Sequence, residues 1–313
     1  MRAMLLAIYA VVVRELIRFV RQRGRLVASF ARPLLWLVVI GAGFEKLVPT
    51  QGTVSYRQFL LPGLYGMVIL FSTMLSALAT VHDREFGPIR MLLIAPLPRS
   101  ATVFAKVVAA AMLGLIQCVI LFPLIWILGL RPSPSALVGL VGAVALTSFT
   151  MASLGMVIAS RMRSIENFAG IMNFLMFPMF FLSSALYPAV LLPGWLQPLV
   201  RANPLSYGID LMRHPLLQGL YPGNLGTDYR VIFDVMVLAL CAIVLVTLAS
   251  LLFGEEEHLG RILLSEPPRK RGEPAAGSGR KAPWRRSPEE PARERTEAPQ
   301  PASTPVGSAS PVD

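Results

Sequence analysis

The residues able to do chemistry are few and scattered. His82, His214 and His258 are the only imidazoles, and they fall in different connectors between apolar runs. General acid–base catalysis needs such groups around one reacting atom, so this pattern predicts no catalytic centre. Cys118 and Cys241 lie inside apolar runs, where a thiol behaves as a small hydrophobe, and neither a disulfide nor a metal centre is implied. Glu45, Lys46, Arg32, Lys106 and Asp234 stand near the ends of apolar runs, where snorkelling explains them, and Gln117 and Asn173 are the main deeper polar groups. An ion-coupled secondary transporter would place ionisable groups near mid-membrane, and a lipid-processing enzyme would cluster His, Asp or Glu; both remain alternatives that these residues favour less.

The most informative stretch is a connector reading His82-Asp83-Arg84-Glu85-Phe86-Gly87-Pro88-Ile89-Arg90-Met91-Leu92-Leu93-Ile94-Ala95-Pro96-Leu97-Pro98-Arg99. Pro88 suits the first turn of a helix, and Pro96 with Pro98 stops it after about two turns. A short helix carrying Leu92 and Leu93 cannot cross a bilayer, so its apolar side must meet either the membrane surface or a soluble partner. Glu85 is expected to pair with a basic or backbone donor, either on a partner or at a helix end, and Gly87 to permit close approach or an unusual backbone angle. Arg161-Met162-Arg163-Ser164 forms a compact charged turn that would offer a second contact.

Further on, Tyr187-Pro188 ends an apolar run, and residues 189–199 contain Pro193, Gly194, Trp195 and Pro198. This stretch is apolar yet too short and Pro-rich to span, which predicts a re-entrant hairpin that caps or lines a central pathway. Trp195 and Tyr207 also suit simple anchoring in the interfacial aromatic belt.

The elements that must position these residues follow from composition. Of 313 residues, 54% are apolar, above the roughly 45–50% of soluble domains, and the mean hydropathy is +0.60. Six runs approach the roughly 20 residues needed to cross hydrocarbon, near 26–47, 59–81, 107–128, 136–160, 167–187 and 231–253. Lipid offers no hydrogen-bond partner to a free backbone group and the alternation of barrel strands is absent, so the predicted fold is all-α with six spans. The net charge of +11 is gathered in connectors and a tail and does not form a stripe on a folded domain, which argues against nucleic-acid binding. Lys and Arg crowd the first 25 residues, the connector at 82–106, the turn at 161–163 and the C-terminal tail, so both termini are expected on the cytoplasmic side. Arg14, Arg18, Arg21 and Arg25 share one helical face, which predicts an N-terminal helix over 1–25 lying in the interface against anionic lipid; a solvated helix end is the alternative. The expected organisation is this helix, a permease body over 26–254, and a disordered tail over 255–313 rich in Pro, Gly, Ser, Arg and Glu.

Together these motifs resemble the type-2 ATP-binding-cassette exporter permeases over about residues 1–255. The resemblance rests on Glu85-x-Gly87 with Leu92-Leu93-x-Ala95-Pro96-Leu97-x-Arg99, on Phe181-Leu182-Ser183-Ser184-Ala185-Leu186-Tyr187-Pro188, and on Leu192-Pro193-x-Trp195-Leu196, Asn203-Pro204-Leu205-Ser206-Tyr207 and Asp210-x-x-Arg213. Pro88 and Arg90 depart from the small polar residue and acid common there, and Ser184 stands where glycine is frequent. The resemblance implies an outward-moving permease in a bacterial inner membrane, paired with an identical or related permease and with cytoplasmic ATPase subunits. ATP and magnesium would belong to that ATPase, because no Gly-x-x-x-x-Gly-Lys-Ser/Thr loop occurs in this chain and no cofactor of its own is expected. Asp83, Arg84, Glu85, Phe86, Gly87, Leu92, Leu93, Pro96, Arg161, Arg163 and Ser164 would couple to the ATPase; Pro188, Pro193, Trp195, Asn203, Pro204 and Tyr207 would shape the hairpin.

Overall fold

A computed structural model describes residues 2–21, 23–45, 55–85, 99–189, 192–217 and 229–265. The expected docking helix, with Phe86, Gly87, Leu92, Leu93 and Pro96, lies outside these residues, as does the tail from 266 onward. Every regular element among the described residues is helical: α1 (Arg2–Arg21), α2 (Arg23–Phe44), α3 (Tyr56–Glu85), α4 (Arg99–Ile120), α5 (Pro123–Ile127), α6 (Pro134–Arg161), α7 (Ile165–Phe181), α8 (Gln197–Ala202), α9 (Pro204–Leu217) and α10 (Val231–Ser265).

Local chemistry sets the boundaries. Pro123 interrupts the run from α4 at a turn and opens α5. Gly129, at φ +80°, then reverses the chain. Ser133 caps α6 by accepting from the Ala136 amide, with Pro134 at the first helical position, and Ser164 caps α7 through the Asn167 amide.

Four helical stretches are long and apolar enough to cross a membrane: Tyr56–Glu85, Ser100–Ile127, Pro134–Arg161 and Val231–Phe253. Of the other two expected spans, α2 is a 22-residue helix, Arg23–Phe44, with Pro33–Phe44 as an apolar stretch, whereas α7, with 17 residues or about 26 Å of helix, is shorter than the sequence implied. The run at 167–187 fails to remain helical because the backbone turns at Leu182 and Ser184 takes a left-handed φ of 57°. At the other extreme, α10 continues to Ser265, past the boundary expected at residue 255. The composition changes there, yet the acidic and aliphatic residues after Phe253 are adequate helix formers.

Helix α3 is the axis of the bundle and is buried on all sides from Phe59 to Leu70, as an all-round hydrophobic helix should be. It packs against α2, α4, α6, α7 and α9, while α6 packs against α3, α4, α9 and α10. The outer faces are apolar too, with Phe174 80%, Ile127 75% and Val138 73% exposed. Water would not tolerate that surface; lipid would. Inside, small residues let helices approach. A Cβ on Gly63 would collide with the carbonyl oxygen of Ala185, and one on Gly208 would collide with the Thr147 side chain.

Two substitutions at the junction of α3 with the end of α7 should move stability in opposite directions. Gly63→Ala pushes against backbone that cannot rotate away and should destabilise by about 1–3 kcal/mol. Ser184→Gly should stabilise by about 1 kcal/mol, because it removes a left-handed side-chain penalty and a buried hydroxyl that has no hydrogen-bond partner among the described residues. Thermal unfolding of the detergent-purified chain reads both.

Candidate functional site

The foot of α3 gathers charged residues from across the sequence. Asp83 is 4% exposed and faces three cations. Its Oδ2 lies 3.0 Å from Lys106 Nζ and 3.3 Å from an Arg14 guanidinium nitrogen, and its Oδ1 accepts from Arg18 at 3.0 Å. Lys106 is 5% exposed and also reaches the Thr80 hydroxyl at 3.4 Å. Glu15, itself buried, accepts from Arg14 at 2.9 Å. One carboxylate at the end of α3 therefore ties down α1 and α4 together. Part of the basic face predicted for lipid thus also meets the bundle: Arg14 and Arg18, still 44% and 34% exposed, pair with Asp83.

Snorkelling does not account for Lys106 or Asp234. The first is enclosed beside Asp83, and the second is fully buried. Each finds polar groups supplied by neighbouring helices in place of water. Glu45 does have a surface explanation, pairing with Arg57 at 2.7 Å between the end of α2 and the start of α3.

The next two residues hold the opposite ends of two other helices. Arg84 donates to the carbonyls of Ser160 at 3.0 Å and of Ala159 and Met162 at 3.4 Å, a cation on the C-terminal carbonyls of α6. Its guanidinium also sits 4.7 Å above the Phe253 ring of α10. Glu85 accepts the Ile165 amide at 2.9 Å, a carboxylate on the N-terminus of α7. Between those two helix ends, Ser164 donates to Glu166 at 2.7 Å, and Arg161 and Arg163 are exposed beside it. The two groups of residues singled out by sequence, 83–85 and 161–164, are in contact.

At the opposite end of α3, about 36 Å from Asp83 by helical rise, polar contacts fix the turn after α7. Arg213, 1% exposed, donates to the Ser184 carbonyl and lies 4.6 Å over the Phe59 ring. Tyr56 donates to the Leu186 carbonyl at 3.1 Å. Asn203 donates to the Met179 carbonyl at 2.6 Å and accepts the Leu205 amide at 3.0 Å, closing the break between α8 and α9 at Pro204. Tyr207 donates to the Arg201 carbonyl at 2.7 Å, and burial, then Tyr229 and Asp234, push its phenol up to about 12. Trp195 stands 73% exposed, and Pro188 and Pro193 lie in the non-helical stretch before α8. Asn203 and Tyr207 thus join the structural network, whereas Trp195 and Pro193 stay outside it.

Sequence reasoning missed Arg213's burial, the enclosure of Asp83 by α1, and a group formed by Asp210, His214 and Asp234. The i, i+4 spacing of Asp210 and His214 was the one signal available for the last.

Removing one partner of the buried pair should cost more than removing both. Asp83→Asn should destabilise by about 3–5 kcal/mol, since Lys106 is left enclosed without its carboxylate, and adding Lys106→Met should restore much of the loss. A double-mutant cycle by thermal unfolding measures the coupling.

Comparison with known proteins agrees with this architecture. Residues 7–217 match the family described as ABC-2 type transporter. The chain is 32% identical over 216 residues to a protein of Porphyra purpurea named as the transport permease ycf38, covering 66% of this chain and 72% of that one. It is 29% identical over 211 residues to nodulation protein J of Rhizobium leguminosarum bv. trifolii, covering 62% and 74%. A Mycobacterium tuberculosis protein named as the doxorubicin resistance ABC transporter permease protein DrrC is 25% identical over 213 residues, covering 64% and 73%. With two thirds of its length in that match and a bundle of apolar helices to carry it, this chain belongs to the ABC-2 type transporter family and is a membrane-embedded transport permease.

Proposed function

We propose that this chain is the membrane subunit of an ATP-driven exporter, moved by a separate cytoplasmic ATPase that docks on residues 83–95 and 161–164. The observation that carries the reading is the clamp at the foot of α3. Three consecutive residues, Asp83, Arg84 and Glu85, hold α1 and α4, the end of α6 with α10, and the start of α7. The segment 86–98 follows directly in the chain. A push on that segment reaches every one of these helices through short charged contacts, which is what rigid-body gating requires. ATP and magnesium would be held by the ATPase, and this chain's part is mechanical.

In this reading α2 and α7 complete a set of six spans, with both termini in the cytoplasm of a bacterial inner membrane and α1 at its surface, against lipid. The stretch from Pro188 to Tyr207 is the external re-entrant hairpin over the pathway, and a second permease, identical or related, completes the transporter. An open groove of about 580 Å³ between α6, α7, α8 and α10, lined by Leu154, Met179, Leu182, Leu199, Leu240 and Val244, is almost wholly apolar. It favours a small amphipathic cargo over a long polar polymer. The name of the mycobacterial relative, which refers to doxorubicin resistance, is in keeping with a cargo that is not a polymer.

Gly87→Trp should abolish cargo movement in proteoliposomes that contain the co-purified ATPase, while membrane insertion and ATP hydrolysis persist. Arg84→Ala should weaken the same coupling and cost about 1.5–3 kcal/mol of stability through its lost carbonyl contacts. Unchanged transport in the Gly87→Trp protein, or labelling of an introduced Leu92→Cys from the outer side, would defeat the docking assignment.

A further inference from the structure

The geometry points to a divalent transition-metal site, of the zinc class, formed by Asp210, His214 and Asp234 where α9 meets the first turn of α10. One ligand atom from each residue lies within 4.8 Å of the others. Asp210 is 1% exposed, Asp234 is 0% exposed and the His214 side chain 16%. Two carboxylates this deep, within reach of one imidazole, make a donor set that a bound cation would stabilise. Asp210 and His214 are i, i+4 neighbours on one face of α9, a spacing that lets two side chains of one helix grip the same ion.

The backbone at Tyr229 frames the group. Its amide donates to Asp210 Oδ2 at 2.8 Å, and its carbonyl oxygen lies 3.1 Å from His214 Nε2. That nitrogen is also 3.8 Å from Asp234 Oδ2. The result is one imidazole nitrogen, two carboxylates and a carbonyl oxygen in a dry setting. An imidazole in the set selects zinc and its neighbours over magnesium or calcium. Tetrahedral zinc with bonds of about 2.1 Å holds its ligand atoms about 3.4 Å apart, so closing the group needs only side-chain rotation and a shift of roughly an ångström. The rival occupant of this geometry is a proton on His214, donated to the Tyr229 carbonyl. Bound metal would staple α9, which carries Arg213 and Tyr207, to α10 across residues 218–228.

The test uses the full chain without an affinity tag, purified in detergent, stripped with EDTA and dialysed. After incubation with zinc chloride, wild type should retain a single zinc per chain by mass spectrometry, and the zinc should raise its unfolding temperature. His214→Ala and Asp234→Asn, with His82 and His258 untouched, should each bind at least about ten-fold more weakly. Should either variant fail to fold, cobalt chloride added to wild type decides alone through its visible d–d bands. Wild-type zinc at the His214→Ala background, or no such bands with cobalt, means that a proton holds the group together and overturns the proposal.

Discussion

A carboxylate enclosed among cations at the end of α3 is the contact on which the arrangement of the other helices depends. Asp83 cannot keep its charge away from water unless Lys106, Arg14 and Arg18 are all brought to it. These partners come from two other helices, α1 and α4. Burial therefore sets the position of α1 and α4 relative to α3 through charge complementarity, where apolar packing alone would leave their register loose. Lipid supplies no hydrophobic drive between spans, which raises the value of any polar contact that does form.

The same economy appears one residue further on. A helix end at the membrane edge leaves carbonyls or amides that need partners. Arg84 serves the carbonyl end of α6, and Glu85 the amide end of α7. The turn from α6 to α7 is thus held from outside by side chains of α3. Any displacement of the chain after Glu85 would be felt at both helix ends together, and through Phe253 at α10.

The two ends of α3 are built differently. At the Asp83 end a buried carboxylate gathers three cations; at the Tyr56 end, besides the Arg57–Glu45 pair, side-chain donors reach backbone carbonyls, as Arg213 does at Ser184 and Tyr56 at Leu186. The second arrangement follows from a break in α7. Where a helix stops within an apolar body its carbonyls must be answered, and residues of α3 and α9 answer them. Ser184 adopts its left-handed conformation within this network, at a place where the resembled family often has glycine.

The helical, membrane-embedded character was legible in the chain alone, because apolar run length, proline placement and charge at run ends act locally. Residues 83–85 and 161–164 were singled out by composition and motif order, but only the folded chain brings them into contact. The extents of α7 and α10 were less legible: apolarity continues through Leu182 although the helix does not, and helix continues past Phe253 although apolarity does not. Which charges face one another was decided only by tertiary structure. Lys106 and Asp234 look like ordinary run-end residues, and Arg14 and Arg18 like lipid-facing ones, until packing carries them to partners 20 to 70 positions away or into a dry interior. Periodicity along a helix is fixed by its own 3.6-residue repeat, whereas an ion pair between helices exists only once their relative rotation and register are set.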